Sequence, residues 1–257
     1  QKGLGLMNPH ARRILIINGK GGCGKTTIAT NLAVAYANAY HTVALMDNDP
    51  QGSSTYWAEQ READLPPVNL IPANRRTSMY QTQVFQNRLP PGVDRIIIDG
   101  HSNARDRDLE LLLKQTDVIL IPMQPSSIDI QAGSRFITEL LTHRVYRSAP
   151  RPVGVIANRV QPNPHTPAKQ KHSLPWRDGP SVATFRDSPV YMEAAEVGKG
   201  IVDMIDSRAA RKETPAWWDL MRWIDAQSKT GGITAQELRN LPRPAERRQQ
   251  NDRSLTA

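Results

Sequence analysis

A buried strand, a glycine-rich loop and an alanine-rich helix follow one another without a break between Ile14 and Tyr40. Ile14-Leu15-Ile16-Ile17 is a continuous apolar run after Arg12-Arg13. Such a run reads as a strand covered on both faces. Gly19-Lys20-Gly21-Gly22-Cys23-Gly24-Lys25-Thr26 comes next. From Thr26 to about Tyr40, Ile28, Leu32 and Ala35 are spaced for one buried helical face. The loop fits G-x-x-x-x-G-K-[ST] in the strand-to-helix setting which that pattern demands. Gly21, Gly22 and Gly24, with Cys23 between them, let backbone N–H groups turn inward around phosphate oxygens. The helix adds its positive end. Lys25 is expected at the β- and γ-phosphates, Thr26 on Mg²⁺ and Thr27 at the α-phosphate. The alternative is a glycine-rich turn with no ligand.

Four more apolar runs repeat the strand pattern. Val43–Met46 ends in Asp47, Ile96–Ile98 in Asp99, Val118–Ile121 at Pro122 and Val153–Ile156 close to Asn158. Helical stretches fall at about Asp106–Gln115 and Ile128–Thr142. Alternating strands and helices predict an α/β fold, a doubly wound and mostly parallel sheet flanked by helices. Ligands of such sheets sit outside the carboxyl ends of the strands. Asp47, Asp49, Asp99 and Asn158 all fall there.

The chain has 257 residues. That suits one domain with a full core and no staples. Gln1–Leu6, ahead of Met7, read as a cloning remnant, residues 7–230 as a single nucleotide-binding domain, and 231–257 as a polar, basic, disordered tail. The region from Gln161 to Pro180 holds five prolines and reads as a loop, and Ser181 to about Gln227 as helix. Cys23 is the only cysteine. It excludes a disulfide framework, a CxxC pair and a Cys-based metal cluster within one chain. With no apolar run near the ~20 residues of a membrane span and no signal-peptide core, a cytoplasmic protein is expected.

Lys20 carries the resemblance to a family. Lys-Gly-Gly-x-Gly-Lys-Thr-Thr resembles the deviant Walker A loop of the ParA/MinD ATPases, whose early lysine is the signature residue. The resemblance implies that Lys20 reaches the phosphates of the other subunit in a nucleotide-sandwich homodimer, offsetting charge as an arginine finger does. A solvated loop lysine is the alternative. Asp47-Asn48-Asp49-Pro50-Gln51-Gly52-Ser53 is similar to the family's D-x-D-P-Q-x-S segment. By that likeness Asp49 positions or activates the attacking water, and Asp47 orients the loop or stands behind Mg²⁺. Proline after Asp49 limits backbone freedom and helps hold the carboxylate on target. Asp99 reads as the Walker B acid, acting on Mg²⁺ through water. The cofactors implied are ATP and Mg²⁺, with Lys20, Lys25 and Asp49 as the catalytic group and Thr26, Asp47 and Asp99 around the metal.

After Asp99 the chain departs from the family. A small residue and prolines are expected there, and Gly100-His101-Ser102-Asn103 stands instead. His101 reads as an ordinary loop histidine or a phosphate contact. Pro122-Met123-Gln124-Pro125-Ser126 with Asp129 resembles a family stretch expected to shape the dimer face. Ile156-Ala157-Asn158-Arg159 resembles the adenine-side segment of MinD-like members. An amide can both donate to and accept from adenine, so Asn158 is assigned base recognition; a strand-end Asn in a turn is the alternative.

The net charge of +8 lies mostly in the second half. Arg135–Lys212 holds 13 Lys+Arg against 7 Asp+Glu, a net +6. Arg144, Arg147 and Arg151 form one cluster, and Arg208, Arg211 and Lys212 another. By resemblance to ParA-type members these bind nonspecific nucleoid DNA, the alternative being a solvated helix face. The implied function is an ATP-driven positioning or partition ATPase with a small adaptor protein that stimulates hydrolysis. Its cargo would be a plasmid, a chromosome or a microcompartment. The carboxysome-distributing McdA branch is one home for a short chain. A MinD-like ATPase at a membrane surface is the alternative. Trp217, Leu220, Met221 and Ile224 follow helical spacing and read as a packed terminal helix rather than a membrane-binding one, so no membrane contact is expected. The lone cysteine disfavours iron–sulfur relatives, and no tyrosine cluster ends the chain as in a tyrosine kinase relative.

Overall fold

Seven parallel strands form the centre of the chain in a computed structural model. It describes residues 11–73, 91–102, 104, 106–161 and 181–227. The strands are β1 (Arg12–Ile16), β2 (Val43–Asp47), β3 (Val68–Pro72), β4 (Arg95–Asp99), β5 (Val118–Met123), β6 (Val153–Val160) and β7 (Ala183–Arg186). The helices are α1 (Lys25–Asn38), α2 (Ser53–Glu59), α3 (Asp106–Lys114), α4 (Ser127–Thr142), α5 (Arg144–Ser148), α6 (Val190–Glu196) and α7 (Arg208–Ala226), with a 3₁₀ turn at Ile201–Asp203.

The sheet order is β3-β2-β4-β1-β5-β6-β7. The chain first winds from β1 toward β2, then crosses back from β4 to β5 on the far side of β1. That reversal opens a crevice above the carboxyl ends of β1 and β4. Register pairs Asp99 with both Ile16 and Asp47, so two carboxylates and the start of the glycine loop meet at one edge.

Alternate residues of each strand feed two cores. Ile14, Ile16, Val43, Leu45, Ile97, Val118 and Leu120 pack with α1 and α7 on one face. Leu15, Ile17, Ala44, Ile96, Ile98, Ile119 and Ile121 pack with α3, α4 and α5 on the other. Burial on both faces is why these strands read as unbroken apolar runs. Trp217, Leu220 and Ile224 of α7 are fully buried, and Met221 nearly so. The apolar stripe of α7 therefore belongs to the core, which removes the segment that suggested membrane contact. Among the described residues no helix is long and apolar enough to cross a membrane.

Three expectations are corrected. The sheet has two strands more than the apolar runs predicted, β3 and β7, both at its edges. The stretch from Ser181 is not helical throughout, because β7 occupies Ala183–Arg186 before α6 begins. Short helices α2 and α5 also stand where the apolar periodicity assigned no element. The predicted loop at Gln161–Pro180, apart from Gln161 itself, and the polar tail after Gly231 lie outside the described residues.

Candidate nucleotide site

Gly24 caps α1 with φ 93° and ψ 26°, a left-handed conformation that only glycine adopts without strain. No side chain caps the helix. Its first N–H groups thus face the loop cavity, where an anion can take them. The loop is tied down from outside. Asn18 Nδ2 donates to the Pro122 carbonyl at 2.8 Å, and Gln124 Nε2 to the Gly22 carbonyl at 2.8 Å. Asn158 Nδ2 donates to the Cys23 carbonyl at 2.9 Å. A Cβ on Gly24 would lie 2.1 Å from that same nitrogen. Gly24 therefore answers both a backbone and a packing demand.

Lys25 is 6% exposed. Its ammonium donates to Ser102 Oγ at 2.7 Å and to the Lys20 carbonyl at 3.3 Å, and lies 4.0 Å from Cys23 Sγ. Burial raises the Cys23 thiol above its usual range, with Lys25 opposing. Lys20 takes a separate path. Its ammonium is ion-paired with Asp129 near the start of α4, 109 residues away. Ser126 caps α4 by accepting from Asp129 N at 3.1 Å, and its hydroxyl donates back to the Asp129 carboxylate. Burial opposes charge on Asp129, but the Lys20 and Ser126 hydrogen bonds outweigh it and hold the carboxyl below its ordinary range.

Asp99 is fully buried at the end of β4. Its Oδ2 accepts from Thr26 Oγ1 at 2.8 Å and from Ser54 Oγ at 2.6 Å. Its buried Oδ1 has no partner among the described residues. Burial pushes its carboxyl up to about 6, against the Ser54 and Thr26 hydrogen bonds and with help from the charges of Asp47 and Asp49. An orphaned carboxylate oxygen beside the phosphate-loop threonine fits a Mg²⁺ ion, directly or through water. Among the described residues no three His, Cys, Asp or Glu side chains form a metal cage. Mg²⁺ needs none, since it keeps waters and takes phosphate oxygens.

Asp47 is used differently. It is also fully buried. Its Oδ1 accepts from Asp49 N at 3.0 Å, and its Oδ2 from Thr55 N at 2.8 Å and Thr55 Oγ1 at 2.6 Å. Both oxygens are committed to the loop that carries Asp49, so the geometry supports the loop-orienting reading over a metal one. Asp49 itself is half-buried, and its Oδ1 accepts from Gln51 N at 2.9 Å. Thr27 is half-buried on the first turn of α1.

Asn158 is 4% exposed. With Nδ2 engaged by the loop, its Oδ1 is the atom left for a base. The sequence reading missed Ser54 and Thr55, and in the loop after Asp99 it weighed His101 and gave Ser102 no role of its own. A second serine and a threonine after Ser53 were the available signal for the first two.

The basic clusters do not meet. Arg144 and Arg147 are exposed on α5, over the core that holds α3 and α4. Arg208, Arg211 and Lys212 are exposed on the first turns of α7, over the opposite face. Arg144 lies 3.7 Å from Glu110, and Arg211 donates to the Ile205 carbonyl at 2.9 Å. One flat patch on a single subunit cannot include both clusters.

Known proteins share these features. The sequence profile of the CobQ/CobB/MinD/ParA nucleotide binding domain matches residues 14–174. Maintenance of carboxysome distribution protein A of Gloeobacter kilaueensis is 32% identical over 127 residues, covering 49% of this chain and 56% of that protein. The chain thus spans little more than half the length of that relative. The protein of the same description from Halothiobacillus neapolitanus is 26% identical over 195 residues, 74% of this chain and 87% of the relative. Among solved structures, the ATP complex of a Cyanothece McdA variant superposes with a TM-score of 0.63 at 16% identity, covering 86% of this chain and 99% of that one. MinD of Aquifex aeolicus superposes with a TM-score of 0.61 at 20% identity, covering 85% and 98%. At these identities the structural likeness bears on the fold alone.

Proposed function

Because the chain belongs to the CobQ/CobB/MinD/ParA nucleotide-binding family, we propose that it is a Mg²⁺-dependent ATPase that dimerises around ATP, binds nonspecific DNA and positions a cargo through an adaptor protein. The observation that carries the reading is the phosphate loop backed by Asp99. Gly24 opens α1 toward an anion, Lys25 is buried beside it, and the free Asp99 oxygen waits next to Thr26.

In this reading Thr26 and Asp99 hold Mg²⁺. The ion neutralises developing phosphate charge when bound. Lys25 binds the phosphates, and Asp49 orients the attacking water. Asp47 and Thr55 hold the Asp49 backbone in place, which limits the reorganisation needed to reach an attack geometry. Lys20 leaves Asp129 and crosses to the partner's phosphates. A dimer doubles each basic cluster, so DNA affinity depends on ATP. The relatives described as carboxysome distribution proteins support a microcompartment as cargo, alongside a plasmid or a chromosome, the latter as for the relatives described as chromosome-partitioning proteins. Nucleoid association follows from the DNA contact.

The test is fluorescence anisotropy with a random-sequence duplex, with and without ATP, over a salt series. Binding is expected only with ATP and is expected to fall steeply with salt. Arg208→Ala with Arg211→Ala should weaken it and lower the salt slope by roughly one for each phosphate no longer neutralised. ATP-independent or salt-insensitive binding would sink the DNA role, and absence of ATP turnover with Mg²⁺ would sink the enzyme.

A further inference from the structure

A groove of about 760 Å³ runs along the outer side of α7. One wall is a single stripe of that helix, Arg211, Pro215, Trp218 and Arg222. These residues are spaced three or four apart over about three turns, roughly 16 Å. The other wall is the 3₁₀ turn, with Val202 and, just after it, Ile205. Val202 and Trp218 are half-buried against the core, and Ile205 is 71% exposed. Arg222 is paired with Asp219, and Arg211 donates to the Ile205 carbonyl at 2.9 Å. The groove is thus apolar along its length with an arginine at either end, and among the described residues it is open to solvent.

The chain itself holds a segment that fits. Helix α7 ends at Ala226, one turn past Arg222, and the chain runs on to Ala257. The first large apolar residues it then offers are Ile233, Leu238 and Leu241. They belong to a helix-start signature. Thr234 with Glu237 three residues later makes a capping box, and Ile233 and Leu238 stand where a hydrophobic staple needs them. Pro242 stops the helix. Composition makes the tail read as disordered, but this stretch carries its own local order. A helix so short does not hold in water alone and needs a surface to pack on.

We propose that Ile233–Leu241 folds back into this groove as a short helix antiparallel to α7, with its three large apolar side chains against Val202, Ile205 and Trp218. Gly231-Gly232 permit the reversal. The link from Gln227 to Thr234 is within the about 2–8 residues that commonly join packed helices. Tethering holds the segment at about millimolar effective concentration, so a modest contact suffices where a diffusing partner would need a strong one. Antiparallel docking sends the following Arg243, Arg247 and Arg248 out at the Arg211 end, beside Arg208 and Lys212. Tail and helix then form one basic surface, a consequence that rests on the DNA reading above.

Disulfide trapping in the full chain tests the docking, since Cys23 is 1% exposed and stays out of reach. Ile205→Cys with Leu238→Cys should link within one chain roughly tenfold faster than Ile205→Cys with Gln236→Cys, because Gln236 lies on the opposite side of the proposed helix. Equal rates would mean that the segment keeps no fixed face in the groove. Links between chains would assign the groove to a second copy. Either overturns the proposal. Hydrogen exchange reads the same contact without cysteines. The amides of Leu238–Leu241 should be protected, and Leu238→Ser with Leu241→Ser should remove that protection; unprotected amides in the parent overturn the docking. The serine variant keeps every tail arginine, yet its salt slope for duplex binding should fall by roughly one for each arginine withdrawn. An unchanged slope would overturn the joint basic surface. A parent that binds no DNA while its cysteine variants still link would overturn the DNA reading and leave the docking standing.

Discussion

Lys20 is ion-paired with Asp129, whose carboxylate also receives the hydroxyl of the helix cap Ser126. The lysine that the family resemblance sends to the partner subunit is thus held within its own subunit. Lys20 is 35% exposed and Asp129 10%, so the pair adds little to stability once water screens it. Its effect is on where Lys20 points. Asp129→Asn keeps the hydrogen-bonding shape and removes the charge. It should change the unfolding free energy in urea by less than about 1 kcal/mol. ATP-dependent dimerisation, followed by sedimentation velocity, should need less protein than in the parent. A weaker dimer would mean that Asp129 guides Lys20 rather than restrains it.

Asp99 makes nucleotide-free stability depend on pH. Burial raises its carboxyl to about 6 from 3.8. The folded chain then binds more protons than the unfolded chain between those values, so this group's contribution falls as pH rises from about 4 to 6. Above pH 6 the folded protein holds a buried charge at a cost of about 3 kcal/mol, by the usual conversion of two pKa units. Asp99→Asn should raise the nucleotide-free Tm at pH 7.5 and flatten that part of the stability profile, while Mg²⁺-dependent turnover is lost. Thermal melts across pH 4 to 8 decide it. A melting temperature lowered at pH 7.5 would contradict the cost assigned to this charge.

The five strands beneath this site were legible because each is covered on both faces, which leaves an unbroken apolar run such as Ile96–Ile98. Edge strands carry a weaker mark. In β7 only Ala183 and Phe185 are buried, so the run alternates over four residues and does not stand out. Site residues were legible where covalent order alone brings them together, as from Gly19 to Thr26. Partnerships across the fold were not. Asp129 reaches Lys20 from 109 residues away and Ser102 reaches Lys25 from 77. Only the order of strands around β1 makes these residues neighbours.

In the proposed reaction Asp47 supports Asp49 through such a partnership. All three of its hydrogen bonds hold the segment from Asp49 to Thr55. Asp47→Ala leaves two backbone N–H groups and a threonine hydroxyl to find new partners, at about 1–3 kcal/mol for each donor left buried. Turnover should fall by more than tenfold while the Kd for ADP changes little, because the phosphate loop is untouched. Turnover within twofold of the parent would show that Asp49 does not need this support.

Arg61 and Asp203 form a buried pair behind α2, with side-chain exposures of 5% and 0% and a separation of 2.8 Å. Arg61 also donates to the carbonyls of Gly198 and Pro66, and Trp57 donates to that of Lys199 at 3.1 Å. The far end of α2 is therefore fastened to the turn before α7, while its near end grips Asp47 and Asp99. Arg61→Ala strands the Asp203 charge and should cost about 3–5 kcal/mol in urea unfolding. The double change Arg61→Met with Asp203→Asn removes both charges and should recover much of it. No recovery would mean that the carbonyl contacts of Arg61, not the ion pair, hold α2 in place.

Asn158 offers the sharpest separation of two roles. Base recognition needs its amide turned to adenine, but its Nδ2 donates to the Cys23 carbonyl and fills the space a Cβ on Gly24 would take. If holding the loop dominates, Asn158→Ala removes a buried hydrogen bond worth about 0.5–1.5 kcal/mol. It then weakens ATP and GTP alike, by roughly three- to tenfold. Reading by Oδ1, which can accept from the adenine amino group, instead weakens ATP and leaves GTP unchanged. The commitment of Nδ2 predicts the first pattern. Competition titrations of both nucleotides against a fluorescent analogue measure it directly. Gly24→Ala is the companion test, because its methyl group must displace the Asn158 amide and sit at φ 93°. It should abolish binding of both nucleotides, and combining it with Asn158→Ala should relieve only the clash, leaving the backbone strain and the defect in place.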